Sequence, residues 1–187
     1  MATTLVTAPT EYPVTLNEAK SHLRVDGNDS DGDITALIDQ ATKYVESVTG
    51  RALVTQTWKV VLDSLPTELK LTKPPLQSVS SISYQDANNA TQTLGASNYT
   101  VDTNSQPGRV VQSYSGTYPN TYPDLNAVTI TFVCGYGART AVPETYKQAI
   151  KLYIEKMYDM PSGPYGQALD DTLTALVINN RIENVSL

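Results

Sequence analysis

VTLNEAKSHL (residues 14–23), DGDITALIDQATKYVESVTGR (31–51), TQTWKVVLD (55–63) and KPPLQS (73–78) follow one another within 65 residues, and their order decides the fold. Thr15 and Glu18 have the three-residue spacing of a capping box, in which hydroxyl and carboxylate satisfy free amides at a helix start, so a short helix is expected through Leu23. Asp26, Asp29, Asp31 and Asp33 precede Ile34, where carboxylates suit the positive end of the next helix dipole. Ile34, Leu37, Ile38, Ala41, Tyr44, Val45 and Val48 then recur at three-and-four spacing, which puts one apolar stripe on one helix face, and Gly50 supplies a left-handed stop. After Leu53 the period becomes two: Val54, Gln56, Trp58, Val60 and Leu62 alternate with Thr55, Thr57, Lys59, Val61 and Asp63, the pattern of a half-buried strand with Trp58 toward the core. Pro74 and Pro75 offer no amide to a sheet ladder, so Lys73–Leu76 reads as a rigid corner before a strand around Val79–Tyr84.

Outward from this stretch the pattern loosens and then recovers. Residues 85–126 are rich in Asn, Thr, Ser, Gly and Tyr, with turn signals at Pro107-Gly108, Pro119 and Pro123, and predict short strands with long loops. Alternation returns at Ala127–Phe132, and Gly135 and Gly137 close that strand. Pro143 suits the first position of a helix lined by Tyr146, Ala149, Ile150, Tyr153 and Met157. Leu152 and Ile154 fall outside that stripe, and a helix apolar on more than one face is covered on more than one side, a neighbouring subunit being one possible cover. Pro161, Gly163 and Pro164 stop this helix, and Leu169, Leu173, Leu176 and Val177 mark another. The expected fold is α+β: a helical layer from residues 14–50 and 143–178, a mostly antiparallel β subdomain inserted at 53–137, and a tail at 179–187, together one domain.

Composition narrows the chemistry. A chain of 187 residues with 40% hydrophobic residues can bury one sizeable core. Its formal net charge of −6 argues against a general nucleic-acid binder, which needs Lys and Arg to neutralise phosphates. There is no long uncharged apolar run, and Met1–Thr4 lacks the basic start of a signal peptide, so synthesis in the cytoplasm and no membrane association are expected. Cys134 is the single cysteine, which leaves no internal disulfide and no cysteine-based zinc site.

The chemical candidates each meet a plainer competitor. His22 is the only histidine and would have to be the base of any Ser-His-Asp or Cys-His arrangement, so a structural role is favoured over catalysis. Counting an EF-hand loop from Asp26 places Asp31 where glycine belongs and Leu37 where the bidentate glutamate belongs, which favours helix capping over calcium. Gly135-Tyr136-Gly137 lacks the lysine and spacing of a phosphate loop. No cofactor or metal is expected. Tyr114, Tyr118 and Tyr122 recur at four-residue intervals, but Gly116 and Pro119 argue for a loop that displays rings, with packing onto the sheet and contact with a partner both open. Those tyrosines and the amides around them also motivate an alternative, a carbohydrate-binding module. The tail Asn179–Leu187 carries Ile182, Val185 and Leu187 among polar residues and has no evident reason to order by itself.

Val14–Val25, Ala41–Arg51, Thr55–Trp58, Pro74–Val79, Tyr99–Asp102, Val128–Phe132 with Gly135-Tyr136-Gly137, and Val142-Pro143-Glu144 resemble, in that order, the head-tail connector (adaptor) family of tailed phages. The resemblance spans most of residues 14–160 and fades at Tyr114–Tyr122 and beyond Pro161. It implies a structural, non-catalytic virion protein of the neck. It also implies a homo-oligomeric ring, usually a dodecamer, that sits below the portal protein, extends the DNA channel without sequence-specific binding, and docks a stopper or tail-completion protein. On that basis Arg181, Ile182, Val185 and Leu187 are expected to contact the portal, and Tyr114, Tyr118, Tyr122, Leu152 and Ile154 to serve subunit or neck interfaces.

Overall fold

Thr15 opens the first helix as its spacing from Glu18 requires. In the computed structural model, which describes residues 2–182, the Thr15 amide donates to Glu18 Oε2 at 2.7 Å and the Glu18 amide donates to Thr15 Oγ1 at 3.2 Å. This closed box starts α1 (Leu16–Leu23). Helix α2 (Asp31–Thr49) begins within the Asp-rich turn and stops at Gly50, whose φ of 71° is the left-handed conformation that glycine adopts without a Cβ clash. Helix α3 (Glu144–Asp159) places Pro143 at its cap, one position before the expected first turn. Helix α4 (Gly163–Ile178) corrects the reading of Gly163 and Pro164 as only a stop. Helix α3 stops at Met160, whose φ of 45° is left-handed, and Gly163 and Pro164 begin α4, where proline's missing amide would be unpaired in any case.

These four helices lie in one compact unit, Thr10–Val54 with the described chain from Tyr136 to Ile182. Its core is a single cluster in which Ile34, Ile38, Ala41 and Val45 of α2 meet Tyr146, Ala149, Ile150, Tyr153 and Ile154 of α3 and Leu173 and Val177 of α4. The rings of Tyr44 and Tyr153 pack with centroids 4.7 Å apart. Every residue of the stripe Ile34–Val48 packs in or against this cluster, so the helical periodicity located the core face directly.

The second unit, residues up to Pro9 with Thr55–Gly135, holds two antiparallel sheets. The larger is built from β1 (Ala2–Thr7), β2 (Gln56–Leu62), β4 (Leu76–Gln85), β5 (Thr91–Thr93) and β8 (Val128–Cys134), in the order β1-β2-β8-β4-β5. Strand β8 is central and alternates strictly, burying Val128, Ile130, Phe132 and Cys134. Ile130 stands opposite Val60 on one side and Ile82 on the other, so three buried aliphatic side chains cross the sheet in one row. The smaller sheet, β3-β7-β6, joins β3 (Glu68–Lys70), β6 (Tyr99–Asp102) and β7 (Arg109–Gln112). Trp58 is half-buried, not core: Lys73 Nζ sits 5.1 Å from its ring centroid and its indole N–H donates to Gln56 Oε1 at 2.9 Å.

Strand β1 and strand β3 were not foreseen. Ala2–Thr7 pairs along β2 from Ala2 opposite Val61 to Leu5 opposite Trp58, yet almost all of its side chains are exposed. It is held by backbone pairing, and so left no apolar alternation to read.

Candidate assembly surfaces

The expected interface residues are not equivalent. Tyr114 is fully exposed, whereas Tyr118 and Tyr122 are half-buried. Burial pushes the Tyr118 phenol up from its ordinary pKa. The turn that carries Tyr114 is pinned on both sides. The Ser113 amide donates to the Asn98 carbonyl at 3.0 Å, Ser113 Oγ donates to the Ser97 carbonyl at 2.6 Å, and the Thr117 amide donates to Asn98 Oδ1 at 3.1 Å. Gly116 passes so close to Asn98 that a Cβ would stand 2.6 Å from its carbonyl oxygen, which is why only glycine fits there. The Tyr114 ring therefore projects from a fixed base. The Tyr122 amide donates to the Gln85 carbonyl at 2.8 Å, and its side chain lines a shallow groove with Asp63, Thr121, Pro123 and Leu125.

On α3, Leu152 is half-buried, and Ile154 has no exposed surface. Ile154 belongs to the helical unit's own core, in the cluster that also holds Leu173 and Val177 of α4. The expectation that Ile154 is left over for a neighbouring subunit is corrected: an amphipathic pattern reports that a face is covered and not by which chain.

The start of the tail, Asn180 to Ile182, is better held than the tail's composition suggested. Arg51 Nε donates to the Asn180 carbonyl at 3.1 Å, and the Ile182 amide donates to the Thr49 carbonyl at 3.0 Å. Arg181 between them is exposed and Ile182 is half-buried. Val185 and Leu187, the other two expected portal contacts, lie outside the described residues.

The residues weighed as chemical candidates have structural partners. His22 Nε2 lies 2.9 Å from Glu155 Oε2, and Glu155 also accepts a hydrogen bond from the Tyr165 hydroxyl, so one carboxylate ties α1 and α4 to α3. In the Asp-rich turn Lys20 Nζ donates to the Gly27 carbonyl, to Asn28 Oδ1 at 3.2 Å and to Asp31 Oδ1 at 2.6 Å. An ammonium from α1 thus occupies the point on which the turn's oxygens converge. No signal local to the turn announced it; only the basic side chain one element earlier hinted at it. Among the described residues no cluster of three or more His, Cys, Asp or Glu is arranged to hold a metal ion. Tyr136 and Tyr146 stack with centroids 5.7 Å apart and hydroxyls 3.3 Å apart, and burial pushes the Tyr146 phenol up, with the Tyr136 hydrogen bond adding to the shift. Among the described residues no helix is long and apolar enough to cross a membrane.

The profile of the Phage gp6-like head-tail connector protein family matches residues 13–108, slightly over half of the chain. The chain belongs to this family, and its role is that of a structural head-tail connector. Among solved structures, a chain in the neck of an empty gene transfer agent particle computed with C6 symmetry superposes with a TM-score of 0.80 at 21% identity, covering 100% of this chain and 98% of that one. A chain in the neck of the native particle computed with C12 symmetry gives a TM-score of 0.78 at 21% identity, and one from the native virion gives 0.78 at 20%, each with the same coverage. At such identities the likeness carries the fold. No curated protein matches in sequence.

Proposed function

We propose that this connector works as a ring in the neck of a tailed-phage-like particle, below the portal, where it extends the DNA channel and docks a stopper or tail-completion protein. The observation that carries this reading is the end-to-end correspondence with neck subunits: all of this chain and 98% of the other superpose at a TM-score of 0.80. Those neighbours were computed with C6 and C12 symmetry, which supports a closed cyclic assembly of about twelve copies here. A cyclic ring needs two different faces of each subunit to meet head to tail. Tyr114, rigidly presented, and Leu152, half-buried on α3, are the side chains we assign to such contacts, with Tyr118 and Tyr122 supporting the same loop. Arg181, Ile182, Val185 and Leu187 are assigned to the portal contact, with the two compact units acting as one adaptor and residues 179–187 as its tail. The net charge of −6 favours passage of DNA over retention, since like charge keeps phosphates from binding the wall. The reading has no catalytic step and no cofactor. The carbohydrate-binding alternative lacks its platform, because only Tyr114 of the three tyrosines is fully exposed.

Deletion of the gene in a producing particle tests the proposal. DNA-filled heads that carry portal but no tail are the expected product, restored to tailed particles by supplying the chain in trans. Normal tailed particles without the chain would refute it.

A further inference from the structure

The step from Gly50 to Arg51 holds the residues that follow α4, Asn180 to Ile182. Gly50 ends α2 in the left-handed conformation, and the chain turns so that the Arg51 side chain reaches a carbonyl 129 residues further on. The guanidinium is a planar fork with donors pointing in more than one direction, so one side chain can hold two partners that an ammonium cannot serve together in the same geometry. Arg51 uses that property: Nε donates to the Asn180 carbonyl at 3.1 Å while Nη1 donates to the Tyr136 hydroxyl at 3.3 Å. Tyr136 is itself fixed by its ring contact with buried Tyr146 and by its amide, which donates to the Leu53 carbonyl at 2.9 Å. The grip on Asn180 is therefore referred to the core of the unit. Two residues later the Ile182 amide donates to the Thr49 carbonyl at 3.0 Å, an acceptor left free where α2 ends. Asn180 Nδ2 closes the end of α4 by donating to the Leu176 carbonyl at 2.8 Å.

We propose that Arg51 is a positioning residue, a clasp that fixes the exit of the C-terminal segment and holds Arg181 outward for the partner. This deepens the portal reading above and rests on it. The backbone is tied on both sides of Arg181, so its exposed guanidinium starts from a defined point and direction. A binding segment launched from a fixed base has less freedom to lose on docking than one that frays from the end of a helix. No motif near Arg181 signals this, because the residue responsible lies at the end of another helix.

Two variants and one deletion test the proposal, with purified portal rings of the same particle as the probe. In Arg51→Met, amide exchange at Ile182 should accelerate while the amides of α3 around Ile150 stay protected, and affinity for portal should fall by about tenfold as the segment loses its preorganisation. Arg51→Lys should fall between wild type and Arg51→Met in both readouts, since an ammonium keeps the charge and its donors but lacks the spread, planar fork that spans Asn180 and Tyr136. Unchanged exchange at Ile182 in Arg51→Met would overturn the clasp, and so would accelerated exchange with full portal affinity. Deletion of residues 179–187 separates the two claims. Lost affinity on deletion with full affinity in Arg51→Met sinks the clasp alone, whereas full affinity on deletion overturns the portal reading and the positioning role together.

Discussion

The helical unit and the sheet unit solve burial in different ways. In the helical unit four elements share one cluster, to which α2 devotes one face and α3 more than one. In the sheet unit the buried row Val60–Ile130–Ile82 is supplied by strands far apart in sequence, and the chain between β4 and β8 is mostly turns and short strands held by local side-chain hydrogen bonds. The Asp102 carboxylate anchors one of these turns. It accepts from Ser105, from Arg109 and from the Asn104 amide, which together hold it well below the usual carboxylate range. One unit concentrates its order in a core; the other spreads much of it over turns that can change without dismantling the central strands.

If that contrast is right, the largest effect belongs to a truncation in the shared core. Ile150→Ala, at a site with no exposed surface, should cost about 2–5 kcal/mol through lost burial and the cavity left behind, read by urea unfolding. A cost below about 1 kcal/mol would mean that the helices do not depend on one cluster.

Lys20→Met comes next. It leaves the oxygens of Gly27, Asn28 and Asp31 without their cation and should cost about 1–3 kcal/mol, because charged partners left unpaired lose a charge-assisted hydrogen bond. Faster amide exchange across residues 26–33 should accompany the loss. A neutral substitution would show that the turn is organised by helix capping alone.

Thr15→Ala opens the capping box and should cost about 1 kcal/mol. Its partner sets a pH signature. The Thr15 amide, and then the Thr15 hydroxyl, hold the Glu18 carboxyl below its ordinary value. A lowered folded-state pKa contributes stability that is present above the unfolded value and lost as pH falls through the folded one. Glu18→Gln should therefore lower stability at neutral pH and flatten the acid limb of the profile below about pH 4.3, where the wild type has itself lost the carboxylate's contribution. An unchanged acid limb would remove Glu18 from the account.

The smallest effect is expected on the sheet unit's loop. Tyr114→Ser removes a fully exposed ring from a turn that is held by other atoms, so stability should change by less than about 0.5 kcal/mol, read by the same urea titration. A larger loss would show that the ring packs within the subunit and is not free for a partner.

The same contrast explains what the sequence disclosed. Thr15, Glu18, Ile34–Val48 and Gly50 were readable because a cap, a stripe and a stop are local patterns whose cause lies within a few residues. The alternation of β8 was readable because its neighbours bury one face only. Strand β1 was not, since its side chains bury little and its place is set by backbone pairing to β2. Ile154 shows what periodicity leaves open: its position says that a second face of α3 is covered, and only the packed cluster says that the cover lies within the chain. The hold of Arg51 on Asn180 joins positions 129 residues apart and leaves no trace in either neighbourhood. Exposure was not legible either: Tyr114 and Tyr118 share composition and spacing, yet one is exposed and the other half-buried.

The central claim is that this connector assembles as a ring on a portal, and native mass spectrometry of the chain with and without purified portal rings tests it most directly. The account expects a monomer or loose association for the chain alone, and a defined complex of one portal ring with about twelve copies when both are present, as for a closed cyclic assembly. A chain that stays monomeric beside portal across a range of salt concentrations would contradict it.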